Sequence, residues 1–212
     1  VREFDDALVS GLEKRVAAVE DDNTLEVVIR VVPMSGHYRD TYFLWGIVAA
    51  LLVFLVAVFA PIVVDPRFLP IELLALGGLG GLLSRRWWAS TRLVTRAERR
   101  LDQVWEGARA CFVEQSVDGT RARTGVLVYV SLLEDLVVVL PDGGAAGAAP
   151  RAEWDALSKL GKTRGTPITE RLDAVLDGIE SLGDKHLPSD GSDNPDELPN
   201  RPVIGADPGG RR

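Results

Sequence analysis

The chain has 212 residues, 46% of them hydrophobic, a mean hydropathy of +0.08, a net charge of −7 and a pI near 5.0. That length fits one domain with appendages, and that hydrophobic content excludes disorder over most of it. The acidic balance excludes a general nucleic-acid binder, which would gain its affinity by neutralising phosphates, and one cysteine excludes a disulfide framework or a multi-cysteine metal site.

Phe4, Leu8, Leu12, Val16 and Val19 recur at helical spacing, and Asp21, Asp22 and Asn23 break the helix they predict. Leu25 to Val32 then alternates Glu26 and Arg30 against Leu25, Val27, Ile29 and Val31, the pattern of a strand, which Pro33 and Gly36 close. Tyr42 to Val64 is a run of 23 residues without a charge. As a helix it covers about 34 Å, more than a hydrocarbon core of about 30 Å. A buried soluble helix rarely needs so long a run. The run is also too long, and begins too far along the chain, for the apolar part of a signal peptide.

Asp65, Pro66 and Arg67 form a turn, after which Phe68 to Leu83 is a second, shorter apolar run. Ser84, Arg85, Arg86, Trp87 and Trp88 follow as an interfacial belt, with arginine stems snorkelling and indoles at headgroup depth. The expectation is a two-span transmembrane hairpin over 41–88. Arg85, Arg86 and Arg92, with Arg96, Arg99 and Arg100 behind them, crowd its exit, whereas the turn holds only Arg67. As topology determinants these residues put both termini in the cytoplasm. They could in addition hold anionic lipid headgroups, although topology alone accounts for them. Gly77 and Gly81 stand four apart and let two helix backbones approach closely, against the first span in preference to a second copy. Glu72, one turn in from the outer end, invites an ion-pathway reading, but water or Arg67 can satisfy it there.

Thr95 and Glu98 make a capping-box pattern ahead of a helix whose stripe is Leu101, Val104, Trp105, Ala108, Cys111 and Phe112. Cys111 on that stripe reads as a small core residue. Gly125 to Leu132 and Leu136 to Leu140 read as two strands joined by Leu133, Glu134 and Asp135. Pro141 to Gly144 is a turn, and Trp154, Leu157 and Leu160 suggest a short helix. Pro167 opens the last helix, buried through Ile168, Leu172, Val175, Leu176, Ile179 and Leu182. From Gly183 onward the composition predicts a disordered or extended tail. The fold class expected is α/β: one small β-sheet sandwiched by helices, interrupted by the hairpin. Residues 1–40 supply the first helix and strand, 41–88 the hairpin, 89–183 the remainder and 184–212 the tail.

Motifs for chemistry are scarce. HExxH, GxSxG, CxxC and EF-hand patterns are missing from the sequence. Gly161, Lys162 and Thr163 imitate the end of a phosphate-binding loop, but Ala156 stands where its first glycine is needed. His37 and His186 lie outside the expected core. Carboxylates remain: Glu134 and Asp135 in one turn and Asp142 in another, the oxygen-rich loops that hard cations such as calcium use. Acidic surface turns are ordinary in a chain of this charge.

In order along the chain, LEVVIRVV at 25–32, RTGVLVYVSLLE at 123–134, PDGG at 141–144, EWDAL at 153–157 and DELPNRPV at 196–203 resemble the TPM family. The match is with its short bacterial form, in which a membrane hairpin interrupts the domain after its first strand. The resemblance implies a β-sheet sandwiched by helices. It also implies one of three roles: assistance to a larger membrane complex, divalent-metal binding, or acid phosphatase activity. Asp142 falls in the family's glycine turn, whereas Gly144 stands where an apolar residue is usual. The expected function is a non-enzymatic membrane protein that binds a membrane-protein partner. The alternative is a phosphatase-like hydrolase with Glu134, Asp135 and Asp142 on a cation. A third reading, a pore of oligomerised hairpins, has only Glu72 for a polar lining.

Overall fold

A computed structural model describes residues 4–59, 65, 67–163, 165–189 and 197–205, the side chains of 22, 88 and 89 excepted. It divides into a sheet unit, Val1–Ser35 with Leu101–Arg212, and a helical unit, Gly36–Arg100.

The sheet unit is built on β1 (Glu26–Val32), β2 (Gly125–Ser131), β3 (Leu136–Pro141) and β4 (Val203–Ile204), in the order β3-β2-β1-β4. β1 runs parallel to β2, with Val27 beside Val126 and Val31 beside Val130, and parallel to β4, with Arg30 beside Val203. β2 and β3 are antiparallel. Every residue of β1 and β2 is buried, which is why both strands are nearly continuous runs of Val, Leu and Ile: β-branched side chains pack well on a sheet covered on both faces.

One face packs against α1 (Asp6–Asp22), α7 (Arg151–Leu160) and α8 (Ile168–His186). Asp5 caps α1 by accepting the Leu8 N–H at 2.8 Å, and Leu12, Val16 and Val19 supply its apolar stripe. Val27, Ile29, Val126, Val128 and Val137 meet Leu172, Val175 and Ile179 across this core. On the other face Val104, Ala108 and Cys111 of α5 (Ala97–Glu114) pack on Val28, Val32, Leu127 and Tyr129. The fold is therefore α/β, with a four-stranded mixed sheet between helices and, among the described residues, eight α-helices in the chain.

Two local expectations need correction. The chain beyond residue 183 does not simply trail away. α8 continues to His186, the Leu187 carbonyl accepts the Thr24 N–H at 2.9 Å, and β4 joins the sheet beyond β1. The carboxylate of Glu26 draws this segment in by accepting the N–H groups of Glu197 and Leu198, both at 3.3 Å. His186 likewise sits on a helix, its Nε2 3.0 Å from Glu153 of α7. The second correction concerns the capping box. α5 starts at Ala97, with the Arg96 carbonyl accepting the Arg100 N–H, so Thr95 lies one residue too early. Thr95 instead ends the short helix α4 (Trp88–Val94), and its hydroxyl lies 3.5 Å from that of Thr41.

The helical unit pairs α2 (Arg39–Phe59) with α3 (Leu69–Ser84) as an antiparallel hairpin. Gly77 and Gly81 face α2. A Cβ at Gly77 would lie 3.0 Å from the Gly46 carbonyl oxygen, and one at Gly81 3.1 Å from that of Tyr42. Only α2 is long and apolar enough to cross a membrane among the described residues. α3, with 16 residues, reaches about 24 Å at 1.5 Å per residue, short of a hydrocarbon core of about 30 Å. The last part of the first apolar run, 60–64, lies outside the described residues.

Candidate functional site

The three carboxylates read as cation ligands do not converge. Glu134 and Asp135 are neighbours in the β2–β3 turn, yet they serve opposite faces of the sheet. Asp135 takes up a left-handed conformation, φ 60°, and turns its carboxylate to Arg171 of α8. Arg171 is buried, and its Nη1 also donates to the carbonyls of Asp135 at 2.8 Å and Gly161 at 3.2 Å. Glu134 instead turns to the α5 face, where it accepts the Ser35 N–H at 3.0 Å and the Ser131 hydroxyl.

Asp142 caps α6 (Gly143–Ala148) by accepting the Gly143 N–H at 2.6 Å. Arg123 donates to both its oxygens, at 2.9 and 3.2 Å. Burial by itself would raise its pKa. The Arg123 bond and the Gly143 amide outweigh that and hold the carboxyl below the ordinary aspartate range. Gly144 follows because a Cβ there would come within 2.5 Å of the Ala122 carbonyl oxygen. A larger residue has no room there.

Each of the three carboxylates thus has its own partners in its own place, and no group of three His, Cys, Asp or Glu stands ready for a metal among the described residues. The sequence missed what does gather at the carboxyl ends of β1 and β2. Ser35 Oγ lies 2.8 Å from Ser131 Oγ and 3.1 Å from the Tyr129 hydroxyl, with Glu134 completing the set. All four are buried. Hydroxyls and a carboxylate sealed from water, with no histidine among them, are suited to fixing the chain and not to meeting a substrate. Together with Leu132 N–H to Val32 O and Leu133 N–H to Pro33 O, at 3.0 and 2.9 Å, they extend the β1–β2 pairing to the edge of the sheet unit. A polar residue closing a valine strand was the sole hint, and it named no partner. Cys111 is also buried, which pushes its thiol up to about 11 and keeps it inert.

The exposed chemistry lies in the helical unit. None of the apolar window of α2 is buried, and Phe43, Ile47, Leu51, Leu55 and Phe59 stand open along it. Ile71, Leu74, Leu79 and Leu82 do the same on α3. At the open end of the hairpin the Arg85 guanidinium lies over the Tyr42 ring, 6.0 Å from its centroid, and Arg99 over Tyr38 at 5.9 Å. Arg99 also pairs with Asp40. Arg86 is exposed, and Arg92 belongs to α4, whose Leu93 and Val94 are open as well.

No family model matches the sequence, and no curated protein matches it. The fold is similar to that of the BA42 protein from the psychrophilic bacterium Bizionia argentinensis, solved by NMR. The two chains are 16% identical, the likeness covers 92% of this chain and 91% of that one, and the TM-score is 0.54. Likeness at this identity concerns the fold alone.

Proposed function

We propose that this chain is an integral membrane protein of the cell membrane. Its α2–α3 hairpin enters the bilayer, and a TPM-like α/β domain is presented at the surface as a non-enzymatic binding or auxiliary module for a membrane complex. One observation carries the reading: α2 has 21 residues of largely apolar sequence, no residue of its spanning window is buried, and most of the apolar side chains of its partner helix are exposed as well. So much contiguous apolar surface is costly in water and is ordinarily covered by lipid or another chain.

The shortness of α3 is met by tilt, local thinning and the snorkelling of Arg85 and Arg86. The glycines pressed together between α2 and α3 support a pair that packs by close backbone approach, as helices in lipid do. With seven arginines from Arg39 to Arg100 outside the turn and Arg67 alone within it, both termini belong on the cytoplasmic side. A sheet covered by helices on both faces is the architecture that the TPM resemblance implies, and a binding role follows from that resemblance.

Alkaline extraction and protease accessibility test the reading. In bacterial cells the chain is expected to stay with the membrane pellet at high pH. A tag after Arg212 is expected to resist protease added to intact cells, while one beside Asp65 is cut. Release by the alkaline wash would overturn the membrane reading, and cleavage of the Arg212 tag would overturn the orientation.

A further inference from the structure

We propose that the open end of the α2–α3 hairpin binds the headgroups of anionic phospholipids, an inference that rests on the membrane reading above. The charge of the chain is distributed against its own average. The whole is acidic, yet residues 36–100 hold eight arginines and four carboxylates, and seven of those arginines belong to the open end with only Asp40 and Glu98 to oppose them. Asp40 is already taken by Arg99. Arg86 and Arg96 are exposed and make no ion pair among the described residues. Guanidinium groups without a carboxylate present a planar fork that matches a phosphate, and they are weakly enough hydrated to leave water for it.

The surroundings say which phosphate. A groove in the helical unit is lined by the buried Thr41 and Thr95, by Arg96 and Arg99 with Asp40, and by the apolar Leu44 and Val94. A soluble phosphate would use the arginines and leave Leu44 and Val94 wet. A phospholipid uses both, its headgroup on the arginines and its acyl chain along Leu44 into the bilayer that the rest of α2 enters. Trp87, at the start of α4, is 75% exposed, and Leu93 within it is 82% exposed, apolar surface on the short helix that follows the hairpin. An indole there sits at headgroup depth. Topology alone requires positive charge, but it requires neither a groove of mixed character nor exposed apolar side chains on α4.

The test is tryptophan quenching in vesicles of phosphatidylcholine with a minority of phosphatidylglycerol, the full chain reconstituted and bromine placed on the chains of one lipid or the other. Trp45 and Trp87 report on the hairpin. Brominated phosphatidylglycerol is expected to quench several-fold more than its share of the lipid predicts, since each arginine near an anionic surface contributes roughly fivefold. Arg86→Gln with Arg96→Gln should bring quenching down to the bulk lipid ratio, and the matching lysine pair should keep most of the preference. Quenching of the glutamine variant by brominated phosphatidylcholine shows that it still inserts. Equal quenching of the unaltered chain by both lipids would overturn this proposal and leave the membrane reading standing. No quenching by either would overturn both.

Discussion

Asp142 is the residue whose environment carries the clearest pH signature. Its carboxyl is buried and held below the ordinary aspartate pKa by Arg123 and the Gly143 amide, so the folded state binds the charged form more strongly than the unfolded chain does. A lowered folded-state pKa stabilises above the unfolded value of about 3.9, and that contribution disappears as pH falls through the folded value. Asp142→Ala is therefore expected to lower stability at pH 7 by about 1 kcal/mol, the usual worth of a cap. Arg123 is largely exposed and adds little to that. Denaturant midpoints of both chains measured from pH 7 down should converge below about pH 4, and a gap that stayed constant would refute the assignment. Glu134 obeys a different rule, because it is defined by what it satisfies. Glu134→Ala leaves the buried Ser35 amide without its acceptor and should cost about 1–3 kcal/mol, whereas Glu134→Gln keeps an oxygen there and should cost less. Since Glu134, Asp135 and Asp142 each spend their oxygens on separate partners, calcium at millimolar concentration is expected to leave the melting temperature unchanged. A rise lost in the triple alanine variant would reopen the hydrolase reading.

Among the elements, the α2–α3 contact depends most on missing side chains, at Gly46, Gly77, Gly80 and Gly81. A Cβ at Gly77 would lie 3.0 Å from a backbone oxygen and 3.1 Å from the Ala50 Cβ, while one at Gly78 would meet nothing within 4 Å. Gly77→Val should therefore force the helices apart and cost about 1–3 kcal/mol of detergent stability, with Gly78→Val nearly silent. Equal effects of the two would show that helix propensity and not packing decides. This contact was legible beforehand because four-residue glycine spacing has one geometric use in an apolar helix. The strand at 25–32 was legible from its alternation, although both faces prove covered and Glu26 and Arg30 are buried; those at 125–132 and 136–140 were legible from their runs of apolar residues, and α1, α5 and α8 because their stripes recur at 3.6 residues. β4 was not, since two residues among prolines carry no period. Nor was the divergence of Glu134 from Asp135, which depends on one left-handed residue and on Arg171, 36 positions away. α4 escaped notice because seven residues with arginine and tryptophan look like a boundary and not like an element.

At the scale of the molecule, the sheet is assembled from distant parts of the chain. β1 ends at Val32 and its parallel partner β2 begins at Gly125, so the helical unit is traversed before the first strand pair can form. β1 remains an edge until Val203 and Ile204 arrive beside Arg30 and Val31, with the Gly205 N–H donating to the Val31 carbonyl at 3.2 Å. An edge strand of valine and isoleucine is a template for pairing with other chains, so the last segment protects the sheet as well as completing it. It also brings the two amides that Glu26 accepts, bonds to a charged group worth about 1.5–3 kcal/mol each. A chain ending at Ser189 loses both bonds and β4, and is accordingly expected to lose about 3–6 kcal/mol and to aggregate more readily during refolding from urea. Glu26→Gln in the full chain should lose less than the truncation, because β4 still closes the edge. If the truncated chain unfolded at the same denaturant concentration and refolded as cleanly, β4 would contribute nothing to the fold and the sheet would close at β1.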